Sequence, residues 1–373
     1  MREMLADIQA WIKDGKAVAL ATVIRTWGSA PRSAGSKMAV SDHGEMSGSV
    51  SGGCVEAAVT DESLRVLRDG SPRRLSYGVA DEAAWEIGLT CGGQIDVFVE
   101  PFVVPGHPSP QSAALLDALR ACETDQAPSV RAIIVGGPGE VVGRSAVIDP
   151  GGHAQGSLGD DLTARLLPEA RLFLKAGSAQ TRTYTLEAGE IEVLFDPLLP
   201  PPTLIIVGGV HIAVVLTRLA AAVGYRVVIV DPRGAFATPE RFSEAVVLEK
   251  SWPDEGLRRV GLTSMTAVAV LSHDPKLDDP ALLVALRSPA FYVGALGSTK
   301  TQAQRRLRLL AAGLTEDELS RLRGPIGIDI GRGDPEGIAL GILTEIVATR
   351  AGRTLATGRA PSARMIERSE RDP

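Results

Sequence analysis

The sequence predicts an α/β protein in two parts, an N-terminal α+β region and a C-terminal Rossmann-like, doubly wound parallel sheet. Three observations predict it. Residues 203–350 alternate short apolar runs with helical patterns, the βαβ signature of a parallel sheet. Within them, LIIVGGVHIAVVLTRLAAAVGYRVVIVD runs strand, Gly-Gly turn, helix and a second strand ending in Asp231. Before them, Asp196-Pro197-Leu198-Leu199-Pro200-Pro201-Pro202 is a stiff spacer that neither a helix nor a sheet interior accepts.

Met4, Leu5, Ile8, Trp11 and Ile12 recur at helical spacing over 2–14, and Gly15 closes that helix. Residues 17–24 form a buried-strand run, and 36–40 with 45–50 form a hairpin around Asp42-His43-Gly44. A helix follows over 55–67, stopped by Gly70 and Pro72, then a strand over 94–99. Beyond a Pro/Gly/Ser segment at 105–110, the pattern predicts a helix at 111–122, strands at 130–135 and 140–148, a helix near 160–175 and a strand at 191–195. In the C-terminal part, strands are expected at 203–207, 226–230, 245–248, 267–271 and 291–295. Helices are expected at 212–223, 278–287, 299–311, 315–322 and 336–350. The domains are thus expected at 1–196 and 203–352, with a disordered polar tail at 353–373 and no internal repeat.

Composition narrows the function. Lys+Arg 39 against Asp+Glu 45 gives a net charge of −6, which argues against a nucleic-acid binder. Three cysteines, Cys54, Cys91 and Cys122, are too few for a disulfide framework. No apolar run approaches a membrane span, and the charged start MREMLADIQAWIKDGK does not read as a signal peptide, so a cytoplasmic protein is expected.

Two stretches invite chemistry. In Gly48-Ser49-Val50-Ser51-Gly52-Gly53-Cys54-Val55-Glu56, free backbone N–H groups at a helix start, with the Ser49 and Ser51 hydroxyls, predict an anion cradle. There the helix dipole would favour a Cys54 thiolate, a soft ligand for a metal or its sulfur. A second thiol stands in Cys91-Gly92-Gly93, and Arg32 is a phosphate-suited cation in the loop 26–36. Cys122 ends an amphipathic helix and reads as structural. In the glycine turn, Gly208, Gly209, His211 and Asp231 lie where a dinucleotide would sit, Asp231 reading the ribose. Val210 replaces the middle glycine of that motif, and a β-branched residue there would obstruct the pyrophosphate and strain at positive φ. Gly208 and Gly209 could equally make only a tight turn, and Asp231 a cap. His273-Asp274 falls at the same sheet end, and no metal-ligand spacing links the histidines.

Gly28-Ser29-Ala30-Pro31-Arg32, the 48–56 stretch and Cys91-Gly92-Gly93 together resemble the first domain of XdhC/CoxI-type proteins. The Gly208–Ala213 turn, 292–298 and 325–331 are similar to their second domain. The resemblance implies an accessory chaperone that binds molybdenum cofactor, protects it during sulfuration and inserts it into xanthine dehydrogenase or a related molybdenum hydroxylase. Cys54 and Cys91 would carry the sulfur chemistry, Cys54 facing the metal, and Ser49, Ser51, Gly52, Gly53, Gly92 and Gly93 would hold the ligand. The implied partners are an apo molybdenum hydroxylase and a cysteine desulfurase-type sulfur donor; a homodimer is the default assembly, with Ile338, Ile342 and Ile346 either core or dimer face. The alternative is an NAD(P)-dependent oxidoreductase working through the Rossmann domain.

Overall fold

The computed structural model describes residues 2–353, apart from Pro31, Cys54, 79–92, Pro108, 125–126, Ala188, 245–246 and Arg332. The tail expected to be disordered therefore lies almost wholly outside the described residues. The chain divides into two compact units, Met1–Pro200 and Pro201–Pro373.

Unit 1 begins α1 (Arg2–Lys13), β1 (Val18–Trp27), β2 (Lys37–Ser41), β3 (Met46–Gly48), α2 (Glu56–Asp69), β4 (Arg73–Tyr77) and β5 (Gln94–Val103). It continues α3 (Pro110–Thr124), β6 (Ser129–Gly136), β7 (Ser145–Ile148), β8 (Ala154–Gly156), α4 (Asp160–Ala176), β9 (Gln180–Leu186) and β10 (Gly189–Leu198). These two runs share one plan, helix–three strands–helix–two strands. Each builds an antiparallel five-stranded sheet, β3-β2-β1-β5-β4 and β8-β7-β6-β10-β9. The expectation of no repeat holds for the sequence but not for the topology.

The correspondence extends to details. At the end of the third strand of each half stands a glycine with positive φ, Gly48 (84°) and Gly156 (86°). A Cβ there would lie 2.4 Å from the Lys37 carbonyl oxygen and 2.5 Å from that of Ser145, the first residues of β2 and β7. Both following helices end on a left-handed glycine, Gly70 and Gly177. Glu100 and Asp196 occupy matching places on β5 and β10, and each is met by a buried cation of the other half. Arg131 grips Glu100 with both terminal nitrogens at 2.5 and 2.8 Å, and Lys37 Nζ lies 2.7 Å from Asp196.

Alternation along β1 divides the layers. Ala19, Ala21 and Val23 pack with Val55, Val59 and Val66 under α2, whereas Val18 and Leu20 join a cluster shared with α1 and α3. Ile24, Phe98, Ile133, Val135 and Leu194 join the two sheets, and α4 covers the outer face of the second through Leu162, Leu166 and Phe173.

Unit 2 comprises β11 (Thr203–Val207), α5 (His211–Ala222), β12 (Arg226–Val230), β13 (Val247–Glu249), α6 (Pro253–Val260), β14 (Thr266–Val270), α7 (Pro275–Leu286), β15 (Tyr292–Ala295), α8 (Thr299–Ala311), α9 (Glu316–Ser320), β16 (Leu322–Arg323) and α10 (Pro335–Arg350). Its six strands are all parallel in the order β13-β12-β11-β14-β15-β16, the doubly wound arrangement expected. One face of the sheet packs on α5 and α10, the other on α6, α7 and α8. Ile342 and Ile346 are fully buried in the first of these cores, so that stripe is core rather than a dimer face. No helix among the described residues is long and apolar enough to cross a membrane.

Candidate functional site

The loop after β3 is organised by a residue that sequence reasoning passed over. Glu56, the first residue of α2, turns its carboxylate back into the small-residue loop. It accepts from Ser49 Oγ (2.7 Å) and from the backbone N–H groups of Ser51 (2.9 Å), Gly52 (3.0 Å), Gly53 (2.9 Å) and Val55 (3.2 Å), and also from Ser51 Oγ. Ser49 Oγ in turn accepts from Gly52 N–H at 2.9 Å. Burial alone would raise the Glu56 pKa, but the Ser51 and Ser49 hydroxyls and the loop backbone outweigh it and hold the carboxyl far below the usual range.

This revises the anion cradle. The predicted donors are present and converge, but they converge on an internal carboxylate rather than facing an empty pocket. That carboxylate also satisfies the positive end of α2, the dipole expected from the sequence to favour a Cys54 thiolate. Cys54 itself, Cys91 and Gly92 lie outside the described residues; the described neighbours of Cys54, Gly53 and Val55, both donate to Glu56. A first-turn acid after a run of Ser and Gly is the signal that could have revealed this internal cap.

The three motifs of unit 1 meet around one core. A Cβ at Gly93 would fall 2.7 Å from the Ala30 nitrogen and 2.8 Å from the Ser29 carbonyl carbon, so Gly93 lies against the 28–36 loop. Ala30 packs on the cluster that holds Val50, Val55 and Ile95. Arg32 is exposed and makes no ion pair among the described residues. Cys122 is 1% exposed in the core beside α1, and burial pushes its thiol up to about 12, in keeping with a structural cysteine.

The sheet end of unit 2 departs further from expectation. Asp231 is fully buried and its carboxylate is spent internally. It accepts from Gly209 N–H at 2.8 Å, from Arg233 N–H and Nε at 2.9 Å each, and from Arg233 Nη2 at 2.7 Å. Burial opposes ionisation, yet these bonds, Arg233 first, keep the group below the ordinary Asp value. Asp231 is thus the turn-capping residue of the two readings, not a free ribose acceptor. The glycines are required by the chain itself: a Cβ at Gly208 would meet Ser272 backbone at 2.8 Å, and one at Gly209 the Phe236 carbonyl oxygen at 2.4 Å. Val210 is relaxed, with φ −73° and ψ 176°, so the strain expected there is absent. His211 opens α5 and is exposed. His273 is exposed with φ 63°, and Asp274 caps α7 through Lys276 N–H at 2.9 Å. Among the described residues no His, Cys, Asp and Glu cluster could hold a metal ion; the expected metal ligand, Cys54, is not among them.

Two family models match the chain, the XdhC and CoxI family over residues 11–78 and the XdhC Rossmann domain over 204–346. Both parts of the chain are thus similar to XdhC and CoxI proteins. It is 29% identical over 340 residues to the molybdenum cofactor insertion chaperone PaoD of Escherichia coli (strain K12), covering 91% of this chain and 85% of that one. It is 26% identical over 349 residues to a probable xanthine dehydrogenase subunit of Bacillus subtilis (strain 168), covering 92% and 96%. A crystal structure described as a xanthine dehydrogenase from Bacillus halodurans shares the fold, with a TM-score of 0.71 at 22% identity over 95% of this chain and 98% of that one.

The region matched by the XdhC Rossmann model folds its glycine turn against its own Phe236. Arg233 stacks over that ring at 4.0 Å, and Arg241 donates to the Phe236 carbonyl at 2.8 Å, so the carbonyl is not free to move. Gly209→Ala is therefore expected to destabilise unit 2 by about 1–3 kcal/mol, as overpacking does. Chemical denaturation followed by far-UV circular dichroism checks this, and an unchanged midpoint would show that the turn yields.

Proposed function

We propose that this chain binds molybdenum cofactor, protects it while its terminal sulfido ligand is installed, and inserts it into xanthine dehydrogenase or a related molybdenum hydroxylase. The observation that carries the reading is the match along nine-tenths of the chain to a protein named as a molybdenum cofactor insertion chaperone. The cofactor is cargo here, and the chain's task is to hold and release it.

The residues proposed for that task are those of unit 1. Cys54 and Cys91 offer soft sulfur to a molybdenum centre or to its sulfur. Gly92, Gly93 and the Ser49, Ser51, Gly52 and Gly53 loop give backbone that a large ligand can approach. Glu56 fixes that loop, so its donors reach cargo only where they are not already committed to the carboxylate. A Cβ at Gly53 would meet nothing within 4 Å, which leaves room beside the loop. Arg32 is an available cation for a phosphate. An apo molybdenum hydroxylase and a cysteine desulfurase-type donor are the partners of this reading, and the cytoplasm its setting. The NAD(P) oxidoreductase reading draws no support, because Asp231 and the Gly208–Gly209 turn are occupied by the protein itself.

Molybdopterin is expected to co-purify with the chain from a molybdenum-replete host. Cys54→Ser is expected to lower its occupancy by roughly tenfold or more, a loss typical of altered metal surroundings, without changing the unfolding transition. Full occupancy in that variant, together with undiminished activation of an apo-hydroxylase, would remove Cys54 from the site.

A further inference from the structure

A cleft of 580 Å³ opens in unit 1, bounded by the end of α2, the β5–α3 connection and the β6–β7 connection. Its volume is that of a small-molecule site. It is separate from the loop at residues 49–56: Glu56 starts α2 and Arg68 lies in its last turn, roughly 18 Å apart at 1.5 Å per residue.

Charge in the cleft is unbalanced toward the positive. Asp69 and Glu100 line it, but Asp69 is paired with Arg73 and Glu100 with Arg131. Arg68 and Arg144 also line it, both exposed, and neither makes an ion pair among the described residues. Deeper in, Arg131 is 3% exposed. Its terminal nitrogens are given to Glu100 and to Ser145 Oγ (3.2 Å), while its Nε is buried with no acceptor. That Nε is sealed from solvent, so the cleft's reachable cations are Arg68 and Arg144. Gln111 and Ser112, in the first turn of α3, line the same cleft, so a helix N-terminus adds its positive end. Leu67, Pro72, Phe102 and Val142 give the cleft an apolar wall, and His107 and Ser109 add polar groups to the lining.

From this we propose that the cleft is a second ligand site, which binds a phosphomonoester carried on a flat ring. Arg68, Arg144 and the α3 N-terminus take the phosphate, and the apolar wall takes the ring. Nothing in this assignment depends on the cofactor reading or on Cys54. A nucleoside monophosphate and a pterin phosphate share the chemistry, and competition separates them.

The test is calorimetric titration of the full chain, purified free of molybdopterin, with phenyl phosphate as the probe. Saturable binding is expected, weakened about tenfold or more by Arg144→Glu and by Arg68→Glu, as loss of a charge-assisted contact implies. Arg120→Glu, an exposed change on α3 outside the cleft, is expected to leave it intact. Arg68 and Arg144 are both exposed, so unchanged thermal unfolding of the variants separates lost binding from lost fold. Displacement of the probe by AMP supports a nucleotide source, and displacement by molybdopterin a pterin source. No binding at millimolar probe, indifference to both charge reversals, inorganic phosphate binding as tightly as the ester, or displacement by neither competitor would each overturn the proposal.

Discussion

Glu56→Ala is expected to destabilise unit 1 by about 3–5 kcal/mol and to release the loop it organises. Six donors converge on the carboxylate, four from backbone and two from serine hydroxyls, and Ser51 is only 1% exposed. Alanine leaves these donors without their acceptor at a site where water reaches poorly, which costs more than the bonds contribute. Amide exchange of residues 49–60 is expected to accelerate with the denaturation midpoint, whereas a loop held by other forces would keep its protection. The pH dependence has a definite sign. Because the folded carboxyl titrates well below its unfolded value of about 4.3, its contribution is complete above that pH and fades as the pH falls below it. The stability gap between wild type and Glu56→Gln should therefore be constant from pH 8 to about pH 5 and narrow toward acid. A gap that widened in acid would mean that the carboxylate is not the stabilising form.

Much of the fold is legible because burial on both faces writes an unbroken apolar run. Residues 204–207 and 227–230 are fully buried, and each reads as a parallel strand without help from its neighbours. β4 and β9 escaped for the opposite reason. Both are edge strands, and RRLSY and QTRTYTL carry the charged and polar side chains that edges use, which resemble loop. The repeat in unit 1 is invisible in the sequence because it is held by a few turn glycines and by alternation, while the residues between them differ. Gly48 and Gly156 stand before quite different loops: only the first leads into Ser51-Gly52-Gly53 and Glu56.

In the candidate site the sequence displays the small-residue loop, Gly93 and the 28–36 loop as separate stretches, and the structure sets them around one core. What the sequence could not disclose is competition. An Asp after a strand looks the same whether it awaits a ribose or is gripped by an arginine two residues on, as Asp231 is by Arg233. An N-terminal helix turn likewise looks vacant until a carboxylate such as Glu56 is seen folded into it. Internal partners at short separation won both contests because their ordering cost is small.

Arg305→Met is the second large effect expected, about 3–5 kcal/mol in unit 2 at neutral pH. Arg305 and Asp278 are each 1% exposed and meet at 2.9 Å. Arg305 also donates to Leu296 O at 3.1 Å and to Gln302 Oε1 at 2.7 Å; Gln302 donates to Ala295 O at 2.8 Å, and Ser272 Oγ to Asp278 at 2.5 Å. This chain ties the loop after β14, which carries His273, to the loop after β15. Methionine matches the stem of arginine but leaves Asp278 as a buried charge without a counter-ion. Burial is already the largest influence on Asp278 and raises its pKa, against Ser272 and Arg305, which lower it. With Arg305 removed the pKa rises further, so the folded state takes up a proton that the unfolded state, titrating at about 3.9, does not. A carboxyl raised in this way makes stability fall as pH increases through its window. The variant's loss should accordingly be smaller at pH 5 than at pH 8, and Asp278→Asn added to Arg305→Met should restore part of it at pH 8. Equal losses at both pH values, with no rescue by the second change, would place the damage in packing rather than in the stranded carboxylate.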